Sequence, residues 1–303
     1  MKQFVTAIFL LKILTGFCQV DLFFPLKNEF DWSKVEKQNI ELKAKLIKDI
    51  RQGLVFNLKE CCNFGIDLQV VAEMFSDLRK EECCDFEKNL HIIDFNGDGL
   101  NDVIYNGHIS GSEAEYIIIF INTGKTFVHI FTEIQKFHKI VFSNDKVTKL
   151  YIQDGGCCCE YILINKIYDV DYSAKVPKMK LISQMQYLNN SVEKYPSNYF
   201  DKPVKFKVLN NKYNIRFSPI LDDTTEVWYC GEPKNGNSLG KIKSGSMGYA
   251  LAESIDATGR VWWYVAITPE SKIYESMYHD DDIRPNTYKL GWISSRFVEV
   301  INE

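Results

Sequence analysis

The chain is poor in the motifs that announce a chemistry. It has 5 histidines in 303 residues, His91, His108, His129, His138 and His279, and none stands in H-E-x-x-H or another ligand spacing. No G-x-S-x-G occurs, so the strained serine elbow of that hydrolase type is missing. No C-x-x-C pair occurs among the 9 cysteines, and vicinal cysteines are poorly spaced for tetrahedral zinc. Neither charge dominates. With 36 Lys and Arg against 40 Asp and Glu, the net charge is -4 and the pI about 5.8, which excludes the basic footprint of a nucleic-acid binder. There is no low-complexity segment. Past the N-terminus no apolar run approaches the ~20 residues that a membrane-spanning helix needs. A glycosidase with paired carboxylates would leave no such local mark, because its two acids need not be close in the chain.

What the sequence does have is Asp94-Phe95-Asn96-Gly97-Asp98-Gly99-Leu100-Asn101-Asp102. Oxygen-bearing side chains stand at alternate or near-alternate positions, and two glycines let the backbone curl. Ca²⁺ takes several oxygen ligands in flexible geometry. Asp94, Asn96, Asp98 and Asp102 are the candidate side-chain ligands, and Leu100 the candidate carbonyl ligand. An EF-hand needs a bidentate Glu three residues past Asp102, where Tyr105 stands. The flanks, Leu90-His91-Ile92-Ile93 and Val103-Ile104-Tyr105, read as strands, so the loop joins strands and not helices. The alternative is a Gly/Asn/Asp-rich hairpin that binds nothing, since turns favour these residues in any case.

The strand–loop–strand form resembles the calcium-binding repeats of the FG-GAP and VCBS families, which carry a D-x-N-x-D-G-x-x-D loop. The resemblance implies an ion of structural rather than catalytic role. Only one copy is present, and a propeller needs about four blades, so a complete propeller is not expected.

The N-terminus reads as a secretory signal over residues 1–18. Lys2 is followed by an apolar stretch from Phe4 to Leu14, broken by Thr6 and Lys12. Gly16 and Cys18 are the small residues before a cut at Gln19. Lipid attachment would need a small residue just before the cysteine, and Phe17 is there instead. A periplasmic or secreted protein is expected. Eight cysteines then remain: Cys61, Cys62, Cys83, Cys84, Cys157, Cys158, Cys159 and Cys230. Outside the cytoplasm this even count suggests disulfides. Adjacent cysteines rarely bond to each other, so clusters should pair. The equal intervals favour Cys61/Cys62 with Cys83/Cys84, while free buried thiols stay open as the alternative.

Along the chain, Ser33-Lys34-Val35-Glu36 fits a capping box, predicting a helix from about Lys34 to Gln52, ended by Gly53. Leu68, Val71, Phe75 and Leu78 recur at helical spacing, predicting a second helix after Asp67. From Asn89 the pattern turns to strands, divided by Thr123-Gly124-Lys125, Ser143-Asn144-Asp145 and Asp154-Gly155-Gly156. The expectation is an α+β domain over 19–200 with a mostly antiparallel sheet. A polar stretch with Pro196 and Pro203, over 189–205, is the expected boundary.

From 206 to 303 short strands alternate with turns, which predicts a small all-β barrel. Asn214-Ile215-Arg216-Phe217-Ser218-Pro219, Gly245-Ser246-Met247-Gly248, Gly259-Arg260-Val261-Trp262-Trp263-Tyr264-Val265 and Gly291-Trp292-Ile293-Ser294-Ser295-Arg296-Phe297-Val298 resemble the segments of bacterial SH3-like (SH3b) domains. The resemblance implies a module that binds a peptide or cell-wall ligand. The chain departs from that pattern in a long loop over 222–239 and an insertion over 269–289. Trp228, Tyr229, Tyr278 and Trp292 are the candidate ligand-binding aromatics, against the plainer reading that they are core. The acidic triplet Asp280-Asp281-Asp282 reads as a solvated turn.

These readings describe an exported cell-envelope binding protein with a Ca²⁺-stabilised N-terminal domain and no chemistry of its own. The rival is an envelope hydrolase whose active site lies in that domain.

Overall fold

The computed structural model describes residues 31–37, 40–51, 88–108, 115–153, 162–188, 195–229, 232–278 and 286–301. A short 3-10 turn, Trp32–Lys34, precedes the one α-helix described, α1 (Ile40–Arg51). The strands follow: β1 (Leu90–Ile93), β2 (Asp102–His108), β3 (Glu115–Asn122), β4 (Phe127–Glu133), β5 (Lys136–Ser143), β6 (Lys146–Gln153), β7 (Ile162–Asp171) and β8 (Lys178–Leu188). Then come β9 (Val204–Val208), β10 (Tyr213–Arg216), β11 (Glu226–Tyr229), β12 (Glu232–Asn235), β13 (Ser238–Ile242), β14 (Met247–Ile255), β15 (Val261–Ile267), β16 (Ile273–Tyr274), β17 (Thr287–Ser294) and β18 (Val298–Val300).

Strands β1 to β4 form an antiparallel sheet in sequence order. Its Ile93, Ile104, Ile117, Ile119 and Ile121 meet Phe137, Ile140, Leu150, Ile152 and Tyr168 of β5 to β7 in one core. The opposite face is buried too: Leu90, Ile92, Val103, Tyr105, Ile118 and Phe120 are each at most 1% exposed. On that side the Lys45 ammonium of α1 lies 4.7 Å from the centre of the Phe127 ring. A sheet covered on both faces has no need of polar alternation, which accounts for the unbroken run Tyr116-Ile117-Ile118-Ile119-Phe120-Ile121 in β3.

The larger sheet runs β18-β9-β14-β15-β17-β8-β7-β6-β5, with β10, β13 and β16 attached to it. It corrects the expected fold. The described chain is mostly strand in a large mixed sheet, not an α+β domain followed by a separate SH3-like small barrel. The cause is a parallel pairing of β17 with β8, in which Thr287, Tyr288 and Lys289 stand beside Gln184, Met185 and Gln186. Those hydrogen bonds cross the 189–205 stretch, and Thr287, Lys289, Gln184 and Gln186 are buried there. A second core lies along this junction, joining Leu163, Ile167, Met185 and Tyr187 to Leu251, Trp262, Tyr264, Leu290 and Trp292.

The expected first helix is shorter than its pattern suggested. Asp31, not Ser33, caps the opening turn, its carboxylate accepting the Ser33 N–H at 3.2 Å. Glu36 turns instead to His91 at 3.2 Å and to Lys43 at 3.3 Å. The second helix and all nine cysteines lie outside the described residues, and so does the expected disulfide pairing. No described helix is long and apolar enough to cross a membrane.

Candidate metal centre

The Asp94–Asn101 loop leaves β1 and returns into β2, which places Asp102 at the first position of that strand. Its side chains organise their own backbone. Asp94 accepts the N–H of Gly97 on Oδ1 at 2.9 Å and that of Gly99 on Oδ2 at 3.1 Å. Asn96 Oδ1 accepts from Asp98 at 3.1 Å, and Asp98 Oδ1 accepts from Leu100 at 2.8 Å. The Asn96 amide donates to Asp98 Oδ2 at 3.0 Å. Gly97 and Gly99 have φ of +72° and +85°, the left-handed region where a side chain is strained. A Cβ on Gly97 would also come within 3.2 Å of the Asp145 carbonyl oxygen, whereas one on Gly99 would meet nothing within 4 Å.

The loop is held from below. Phe95 is fully buried in the core between the sheets. Its carbonyl accepts the Val147 N–H at 2.8 Å and the Tyr172 hydroxyl at 3.0 Å. The same hydroxyl lies 2.6 Å from the Val147 carbonyl, and the Lys146 ammonium covers the ring of Tyr172 at 4.4 Å. Burial, with Asp102 and Asp94 nearby, pushes the Tyr172 phenol above its ordinary range, so it stays a neutral donor.

Asp102 differs from the other three candidates. Asp94, Asn96 and Asp98 face solvent to varying degrees, but Asp102 is 0% exposed. Its Oδ2 accepts the Phe95 N–H at 2.8 Å and its Oδ1 the Asn122 N–H at 2.7 Å. Burial outweighs these two bonds and pushes the carboxyl up to about 7. A carboxylate ionised in that position is favoured by a positive charge set beside it. The donor set of the loop is wholly oxygen, which suits a hard cation. An ionised carboxylate keeps lone pairs beyond the one given to an amide, so these hydrogen bonds leave room for ligation. Among the described residues, no three His, Cys, Asp or Glu side chains already converge into a cage. Ligation would therefore require the Asp94 and Asp98 side chains to close toward Asp102.

The four candidate aromatics are not gathered into one groove. Tyr278 is 4% exposed and packs in one core cluster, its hydroxyl donating to the Leu290 carbonyl. Trp292 is 2% exposed in another cluster, against Tyr264. Both are core side chains, because they stand on the inward face of strands or folded-back loop where apolar area is removed from water. Trp228 is 61% exposed on β11, and only the backbone of Tyr229 falls within the described residues. Trp262 is buried and Trp263 half-buried, as alternation along β15 predicts. The acidic triplet lies outside the described residues.

Two polar clusters were not legible in the sequence. Glu133, at the end of β4, takes the Lys166 ammonium on Oε1 at 2.9 Å and the Tyr168 hydroxyl on Oε2 at 2.6 Å. Arg216, 3% exposed, clamps the 217–237 loop through the Asp222 carbonyl at 3.0 Å, Asn237 Oδ1 at 2.6 Å and Asp223 at 2.9 Å. The first joins residues 33 and 35 apart in the chain, and the second joins Arg216 to Asn237, 21 residues on; neither has a local signature. No family model matches the chain, and neither a curated protein nor a solved structure matches it at a significant level of similarity.

Proposed function

We propose that the protein is an exported β-protein that holds one Ca²⁺ in the Asp94–Asp102 loop. Its work is to bind a peptide or cell-wall ligand at the cell envelope, without chemistry of its own. The observation that carries this reading is the Asp102 carboxylate, fully buried at the end of a loop whose candidate donors are all oxygen. Asp94, Asn96, Asp98 and Asp102 would hold the ion through side chains, and Leu100 through its carbonyl. The ion would set positive charge beside an ionised Asp102. Its role is structural, because the loop also carries the joint between β1, β2, β3 and the β5–β6 turn. Support for export comes from the charged and apolar N-terminal segment with its small residues at Gly16 and Cys18. Support for binding comes from the resemblance carried by the C-terminal segments and from the exposed Trp228.

The reading is tested with full-length mature protein on purified cell wall and on envelope extract, in Ca²⁺ and in chelator. Retention in Ca²⁺ that weakens when the chelated protein loosens supports it. No retention under either condition contradicts the binding role.

A further inference from the structure

The ribbon β11–β12 is a two-stranded sheet of its own. Its register sets Glu226 opposite Asn235, Val227 opposite Lys234 and Trp228 opposite Pro233. Strand alternation then divides it into two faces. Val227 packs against the C-terminal core, so Val227 and Lys234 form the inner face. Burial there lowers the pKa of the Lys234 ammonium. Glu226, Trp228, Pro233 and Asn235 form the outer face, and all four are exposed.

Trp228 is the most exposed large aromatic among the described residues, at 61%. A freely exposed indole forgoes the burial that makes this side chain valuable. Its ring is not left to wander. The indole N–H donates to Glu226 Oε1 at 2.9 Å, which fixes the ring and sets a carboxylate at its edge. At the base of the ribbon, Asp222 accepts the N–H groups of Thr225 at 2.9 Å and Thr224 at 3.1 Å. Those bonds hold its carboxyl below the ordinary range. Residues 226–235 contain one basic side chain, Lys234, and it lies on the other face.

We propose that this outer face docks a cationic peptide segment, with a lysine or arginine side chain laid over the Trp228 ring and its charge set against Glu226. The proposal rests on the peptide-binding reading given above and names the chemistry of its ligand. A cation over an indole face is attracted by the ring quadrupole, and the acidic fringe adds to that attraction and steers the approach. A neutral saccharide could stack on the same ring but would gain nothing from the net negative charge. An anionic lipid surface would be repelled by it.

The test uses the full-length mature protein in Ca²⁺ and three probes. These are a blocked peptide of alternating glycine and lysine, the same peptide with glutamate, and a chitin tetrasaccharide. Calorimetry should show binding of the lysine peptide alone, weakened by added salt. Trp228→Ala should weaken it at least tenfold and Glu226→Gln several-fold, with unchanged melting temperatures, since both side chains are exposed. No binding of the lysine peptide, unchanged binding in Trp228→Ala, or binding of the saccharide in its place would overturn the proposal. If the protein is retained on purified cell wall while the lysine peptide does not bind, this inference falls and the broader binding role stands.

Discussion

The Asp102 carboxylate accepts the backbone N–H of Asn122 at 2.7 Å, twenty residues further along the chain. Its other oxygen accepts from Phe95 at 2.8 Å, seven residues back. One buried side chain thus fixes the end of β3 to both limbs of the oxygen-rich loop. The loop is not an appendage of the sheet but the place where β1, β2 and β3 are tied together.

Asp102→Ala leaves two buried N–H groups without acceptors. Each such loss costs about 1–3 kcal/mol, so the variant should be less stable by at least about 2 kcal/mol. Urea unfolding of chelated wild type and variant measures the difference. A change below 0.5 kcal/mol, on this same scale, would show that the staple matters little.

The pH dependence follows from the same group. Folding raises the Asp102 carboxyl from 3.8 to about 7, so between these values the folded chain binds more protons than the unfolded one. Its contribution to stability is then full below about pH 4 and is lost as the pH rises to 7. In chelator, the melting temperature should fall over that interval. In excess Ca²⁺ the fall should be reduced, because the ion replaces the proton. Chelated protein that gains stability steadily from pH 5 to 8, with Asp102→Asn showing the same slope, would contradict this.

Gly97 and Gly99 form an internal comparison. Gly99→Ala meets only the strain of a left-handed residue, about 1–2 kcal/mol. Gly97→Ala meets that strain and a crowded Asp145 carbonyl as well, so it should cost more. Thermal melts of the two variants decide the order, and equal costs would mean that the β5–β6 turn yields to the added methyl.

The Glu133–Lys166–Tyr168 cluster should behave as a unit. Removing one partner of this half-buried pair leaves the other short of a hydrogen bond, at about 1–3 kcal/mol. Lys166→Met and Glu133→Gln should each destabilise, while the double variant costs less than their sum. Strict additivity in a double-mutant cycle would show that the groups do not sense one another.

Much of the strand order was readable because these strands carry their own signals. Asn144 and Asp145 take positive φ where the turn was expected, and β3 ends and β4 begins on either side of Thr123-Gly124-Lys125. The oxygen-bearing side chains of the loop could be named as candidate ligands from spacing alone. What the sequence could not show was how the pieces join. The β8–β17 pairing is parallel and has no turn to mark it, and it joins strands from both expected parts into one large sheet. Tyr172 meets Phe95 across 77 residues, and no pattern near either one suggests it. In the sequence Tyr278 and Trp292 are candidates for a groove against the plainer reading of core, because an aromatic in a short strand looks the same in both settings until its neighbours are known.

The most direct measurement is calorimetric titration of chelator-stripped protein with Ca²⁺, alongside Asp98→Ala. The account predicts one site in the wild type and none in the variant. It also predicts a rise in the melting temperature, with stabilisation of about 2.7 kcal/mol when free ion exceeds its dissociation constant a hundredfold. Absence of both binding heat and a melting shift in the wild type would contradict it.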